Sequence, residues 1–130
     1  MHYTLDASDL ELIARAHETL KRCYCDPRHT VGAAVLCGSG NTYTGVNIEA
    51  CAYGPCAEPI ALGAAFTNAE KEIKTIVAVS YSGNVLSPCG NCRQLLFDYA
   101  PDAMVIFNNA GEFVKTQVRN LLPGSYSSEL

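Results

Sequence analysis

The chain has 130 residues, close to the usual size of one domain, with 48% hydrophobic and 17% charged residues. Nine Lys and Arg against thirteen Asp and Glu give a net charge of -4, which excludes a highly charged disordered chain and leaves no basic stripe for duplex nucleic acid. No apolar run reaches the roughly 18 residues of a membrane span, and the acidic start MHYTLDASDLE carries no secretory pattern, so a single soluble, cytoplasmic domain over residues 1–130 is expected.

A first helix is predicted over residues 8–22. Ser8 and Glu11 have capping-box spacing, and Leu10, Ile13, His17 and Leu20 recur on one face. His17 there reads as a packed or edge-exposed side chain. Residues 30–37 are β-branched and apolar, residues 38–41 offer turn chemistry, and Thr42–Val46 returns, so the pair reads as a hairpin. Residues 56–69 are apolar nearly all round, which predicts a buried central helix. Ile73–Ser80 has the pattern of a central strand. Residues 82–84 turn, and residues 86–88 lead into a short helix over Gly90–Tyr99 that Pro101 stops. Strands over 104–107 and 112–115 flank a turn at 108–111, and residues 118–122 make a last helical turn. The order α-β-β-α-β-α-β-β-α predicts an α/β layered domain with some parallel pairing and a hairpin at each end.

Seven cysteines are present, an odd number, and nothing signals secretion, so a disulfide framework is not expected. Cys89 and Cys92 lie three apart where a loop enters a helix, and their sulfurs can converge on one point. Cys56 joins them if the two helices start side by side. Three ligands leave one tetrahedral position for water, as in catalytic zinc sites. Glu58, two residues from Cys56, supplies a carboxylate able to take and return a proton. This set suits hydrolytic removal of ammonia from an amidine-like carbon. Three thiolates on zinc carry a formal charge of -1; two helix N-termini and Arg93 are the sources of positive field that could offset it. Arg93 reads equally as a surface arginine. A closed four-thiolate site with Cys51 as the fourth ligand, or no metal at all, also fits the spacing. Cys23, Cys25 and Cys37 read as packing residues.

The runs Thr44-Gly-Val-Asn-Ile-Glu49, Gly54-Pro-Cys-Ala-Glu58 and Leu86-Ser-Pro-Cys-Gly-Asn-Cys-Arg-Gln94 together resemble the cytidine deaminase family of zinc-dependent nucleoside deaminases. The resemblance runs in register from about Val31 to Leu122. It implies a three-layer fold with a five-stranded mixed sheet between helices. It implies one zinc per chain on Cys56, Cys89 and Cys92, with Glu58 as proton shuttle. Asn47 and Glu49 match positions that grip sugar hydroxyls, and the main chain around Ala57 and Ser87 would bind the base. The implied reaction turns cytidine or 2′-deoxycytidine into uridine or 2′-deoxyuridine and ammonia, in pyrimidine salvage. The family usually forms homotetramers with shared active sites. No polynucleotide or membrane partner is expected.

The sequence departs from the family pattern in several places. The short segment between Glu49 and Cys56, and the run Leu121-Leu-Pro-Gly-Ser-Tyr126, resemble the branch that deaminates blasticidin S. Ser128 stands where that branch has an aromatic near its C-terminus, while Glu49 keeps the sugar-binding type. His29 occupies the place of a stacking Phe; an imidazole can still stack on a pyrimidine. Pro59 follows Glu58 where many relatives carry Arg, which leaves Arg93 and the helix N-termini to offset the thiolates. Blasticidin S or another modified cytosine nucleoside is thus the alternative substrate, with Tyr126 as a candidate contact. A non-catalytic zinc-stabilised interaction module is the reading from another class.

Overall fold

Residues 2–127 are described by the computed structural model; Ser128 lies outside them. The chain order is α1 (Ala7–Cys23), β1 (Val31–Cys37), β2 (Thr42–Val46), α2 (Ala57–Thr67), β3 (Ile73–Ser80), β4 (Val85–Leu86), α3 (Gly90–Tyr99), β5 (Met104–Asn109) and β6 (Glu112–Gln117). A 3-10 turn over Val118–Leu121 closes it.

Strand alternation divides the molecule into three layers. Ala33, Val35 and Cys37 of β1 and Ile76 and Ala78 of β3 pack with Ala57, Ala61, Leu62 and Ala65 of α2 and Leu96 of α3. Their neighbours Ala34, Val77 and Val79 point the other way and pack with Leu12 and Ala16 of α1. One sheet therefore separates α1 from the α2–α3 pair, as period-2 side-chain placement requires. Two glycines allow close approach. A Cβ on Gly32 would lie 2.5 Å from the Ala16 carbonyl oxygen, and one on Gly45 would lie 2.7 Å from the Ala61 amide nitrogen.

The sheet runs β2-β1-β3-β5-β6, the five strands expected, with β4 added as a short partner of β3. Hairpins stand at both ends, and β3 and β5 are parallel. Since β1 is antiparallel to both β2 and β3, those two also run the same way. Each of β2 and β3 is followed by a crossover helix, so α2 and α3 begin at the same end of the sheet. Such crevices beyond the carboxyl ends of parallel strands are where α/β sheets bind ligands.

Two sequence expectations shift. Asp6, not Ser8, caps α1: the Asp9 amide donates to Asp6 (3.0 Å) and the Asp6 amide to Asp9 (2.9 Å). That phase buries Asp9, Leu12, Ala16 and Leu20 and leaves Leu10 59% exposed. The buried Asp9 carboxylate is paired with Lys115 Nζ at 2.7 Å, so β6 supplies the countercharge that local spacing could not show. Helix α2 is buried on one face only; Phe66 is at the surface against Tyr99 of α3, their ring centroids 5.1 Å apart.

Candidate active site

The same-end start of α2 and α3 places Cys56 and Cys89 as their N-cap residues. Cys92, on the first turn of α3, completes the group: the three Sγ atoms all lie within 4.8 Å of one another, with Cys56 and Cys89 3.7 Å apart. Tetrahedral zinc with Zn–S bonds of about 2.3 Å sets neighbouring sulfurs at about 3.8 Å, so the donor set fits zinc in both number and spread. The sequence left this arrangement conditional on the two helices meeting, and they meet.

Two helix N-termini aim at the sulfurs, and the Cys92 amide donates to Cys89 Sγ at 3.5 Å. Partial burial raises the Cys89 thiol, but this amide and the neighbouring thiols outweigh it and hold the group below the usual thiol range. Cys92 is pushed strongly up, first by burial and then by the Glu58 charge. A cation among the sulfurs reverses that preference, because a coordinating thiol is deprotonated outright.

Glu58 is buried, with Oε1 3.8 Å from Cys92 Sγ. Burial pushes its carboxyl up from the usual carboxylate range. Pro59 sits on the first turn of α2, where the missing N–H would have no intrahelical partner. Arg93 turns from the sulfurs to the backbone: Nε donates to the Pro88 carbonyl (2.7 Å) and a terminal nitrogen to the Leu121 carbonyl (3.0 Å). It tethers the loop that carries Cys89 and makes no hydrogen bond to any of the three sulfurs.

A cavity of about 450 Å³ opens over Cys56, Glu58 and Cys89. Asn47, Glu49, Ala57 and Ser87, all expected at the substrate, line it. Asn47 is buried and fully engaged: its carbonyl accepts from the Thr30 and Val31 amides, and its amide donates to Glu49 at 3.1 Å. This fixes the Glu49 carboxylate at the cavity wall. His29 does not line the cavity. Its Nδ1 donates to the Asn47 main-chain carbonyl at 2.8 Å, which ties the imidazole to the strand end that carries Asn47. Tyr126 is 75% exposed and also stands away from the cavity; its carbonyl accepts from Gln94. The wall instead includes Asp26 and Pro27, which the sequence did not single out. They lie on the turn between α1 and β1, and no sequence pattern marked them.

Cys51 is exposed and outside the sulfur group, which removes the four-thiolate alternative among the described residues. Cys37 is buried as expected, whereas Cys23 and Cys25 are exposed at the end of α1 and just beyond it. Replacing Cys51 by Ala should therefore leave one zinc per chain; metal analysis of the purified variant checks this, and loss of the ion would restore Cys51 as a ligand.

Residues 6–108 match the family described as the cytidine and deoxycytidylate deaminase zinc-binding region. The chain belongs to this family. It is 40% identical to blasticidin-S deaminase of Bacillus cereus, over 96% of each chain. It is 34% identical to cytidine deaminase of Sporosarcina psychrophila, over 92% of this chain and 91% of that one. The crystal structure of cytidine deaminase from Mycobacterium leprae superposes with a TM-score of 0.79 at 28% identity, covering 91% of this chain and 99% of the other. The family match and the sulfur cluster together identify a zinc centre.

Proposed function

We propose that this chain hydrolyses the exocyclic amine of a cytosine nucleoside: cytidine or 2′-deoxycytidine plus water gives uridine or 2′-deoxyuridine plus ammonia. The observation that carries the reading is a buried carboxyl beside three convergent sulfurs on the floor of a nucleoside-sized cavity. Cys56, Cys89 and Cys92 hold the zinc, which when bound supplies the acidity that makes water a nucleophile at neutral pH. Glu58 takes a proton from water and passes it to the ring nitrogen, then serves the departing amine in the same way. Burial suits it to both halves, since the protonated form is less costly there than in water. Asn47 and Glu49 hold the sugar hydroxyls, and main chain at Ala57 and Ser87 holds the base edge. Arg93 keeps the Cys89 loop in place.

Blasticidin S as the preferred substrate is favoured by the 40% identity to the Bacillus cereus enzyme. Ultraviolet absorbance with the zinc-loaded protein separates the two: cytidine turnover at a kcat/KM equal to or above that for blasticidin S is expected. Consumption of the antibiotic with cytidine untouched would reverse the order, and no turnover of either would leave the interaction-module reading. The proposal includes a single domain assembling as a homotetramer with shared active sites, acting in cytoplasmic pyrimidine salvage. Ile48 and Tyr53, 42% and 71% exposed on the loop between Asn47 and Cys56, support assembly at the cavity mouth. Among the described residues no helix is long and apolar enough to cross a membrane.

A further inference from the structure

Every ordinarily charged side chain lining the cavity is acidic. Asp26, Glu49 and Glu58 contribute carboxyl groups, and no Lys, Arg or His shares the wall. Two of the three are committed: Glu58 is buried beside the sulfurs, and Glu49 is engaged by Asn47. Asp26 is exposed and has no hydrogen bond or ion pair among the described residues. Its place along the cavity follows from the backbone. The Glu49 amide donates to the Arg28 carbonyl (3.3 Å), and the Cys25 and His29 backbones bond each other across the turn. The turn carrying Asp26 thus lies against Glu49, at the sugar end of the cavity. Arg28 is the nearest cation in sequence; one terminal nitrogen is 3.5 Å from the Glu49 carbonyl, and the residue does not line the cavity.

We propose that Asp26 is a specificity-determining residue that selects nucleosides bearing a cationic substituent at the sugar end and disfavours those bearing an anionic one. The inference rests on the nucleoside reading above. A carboxylate without a partner among the described residues attracts a nearby ammonium and repels a phosphate, and no Lys, Arg or His of the same chain lines that wall to cancel the repulsion.

The test uses zinc-loaded protein and three non-reacting product-type probes: uridine, 5′-amino-5′-deoxyuridine and uridine 5′-monophosphate. Titration calorimetry gives Kd for each with the native chain and with Asp26→Asn and Asp26→Glu. In the native chain the amine should bind more tightly than the monophosphate. Asp26→Asn should shrink that ratio about threefold to fivefold, the range of a partly exposed charge pair. Asp26→Glu should restore most of it. Raising salt to about 0.5 M should compress the native ratio more than that of Asp26→Asn, which keeps only the Glu49 and Glu58 contribution, a signature that a purely structural role would not give. An equal ratio in native and Asp26→Asn protein, or failure of the amine to bind, overturns the inference. Cytidine turnover measured in parallel tests the deaminase reading separately: selective binding without deamination would sink that reading alone.

Discussion

Replacing Glu58 by Gln should leave the fold and the bound zinc intact and lower kcat for cytidine by about 10²–10⁴-fold, the usual contribution of a positioned general acid–base group. The change is nearly isosteric. It keeps the buried volume beside Cys92 and replaces a carboxyl by an amide that neither takes nor returns a proton. Glu58 is not one of the three converging donors, so metal content has no reason to fall. The substitution also removes a costly buried charge, so unfolding stability should stay level or rise. Steady-state kinetics, metal analysis and a denaturant titration on one preparation check all three statements. Comparable kcat in the variant would remove Glu58 from the chemistry. Loss of zinc would instead mean that its carboxylate is needed to build the centre.

The legibility of this molecule in its sequence followed the range of the interactions involved. Strands β2 and β3 and helix α3 were readable to their ends, because their boundaries are set by local turn chemistry and by Pro101. The zinc group was readable as well: an N-cap cysteine and another three residues on converge by helix geometry alone. What placed Cys56 beside them was the crossover topology, which spacing could suggest only conditionally. Longer-range contacts were hidden. Lys115 reaches Asp9 from the far end of the chain, and that ion pair allows an acid to be buried on a helix whose apolar face was expected on Leu10, Ile13, His17 and Leu20. His29 was read from the family pattern as a candidate stacking ring; what the pattern could not show is the hydrogen bond its imidazole makes to the Asn47 main-chain carbonyl. Asp26 drew no notice because an exposed acid before a proline is usual in turns; only the cavity gives it meaning.

Metal binding and helix capping meet in Cys89, and a single substitution separates them. Cys89→Ser should lower zinc affinity by more than about 100-fold and deaminase activity at limiting zinc in proportion, with α3 retained. Sγ of Cys89 accepts the Cys92 amide at 3.5 Å. A serine hydroxyl is among the best N-cap acceptors, so the first turn of α3 keeps or improves its cap. The hydroxyl is a poor zinc donor: harder than thiolate and still protonated at neutral pH. Cys89 is exposed, unlike Cys92, so no core cavity is opened by the change. Zinc competition with a chromophoric chelator reads the first effect. Guanidinium unfolding with excess chelator reads the second, and the metal-free stabilities should agree within about 0.5 kcal/mol, as for a surface substitution. A large drop in metal-free stability would mean that Cys89 serves the fold before it serves the ion. Unchanged zinc affinity would mean that two sulfurs suffice, and the three-thiolate centre would have to be abandoned.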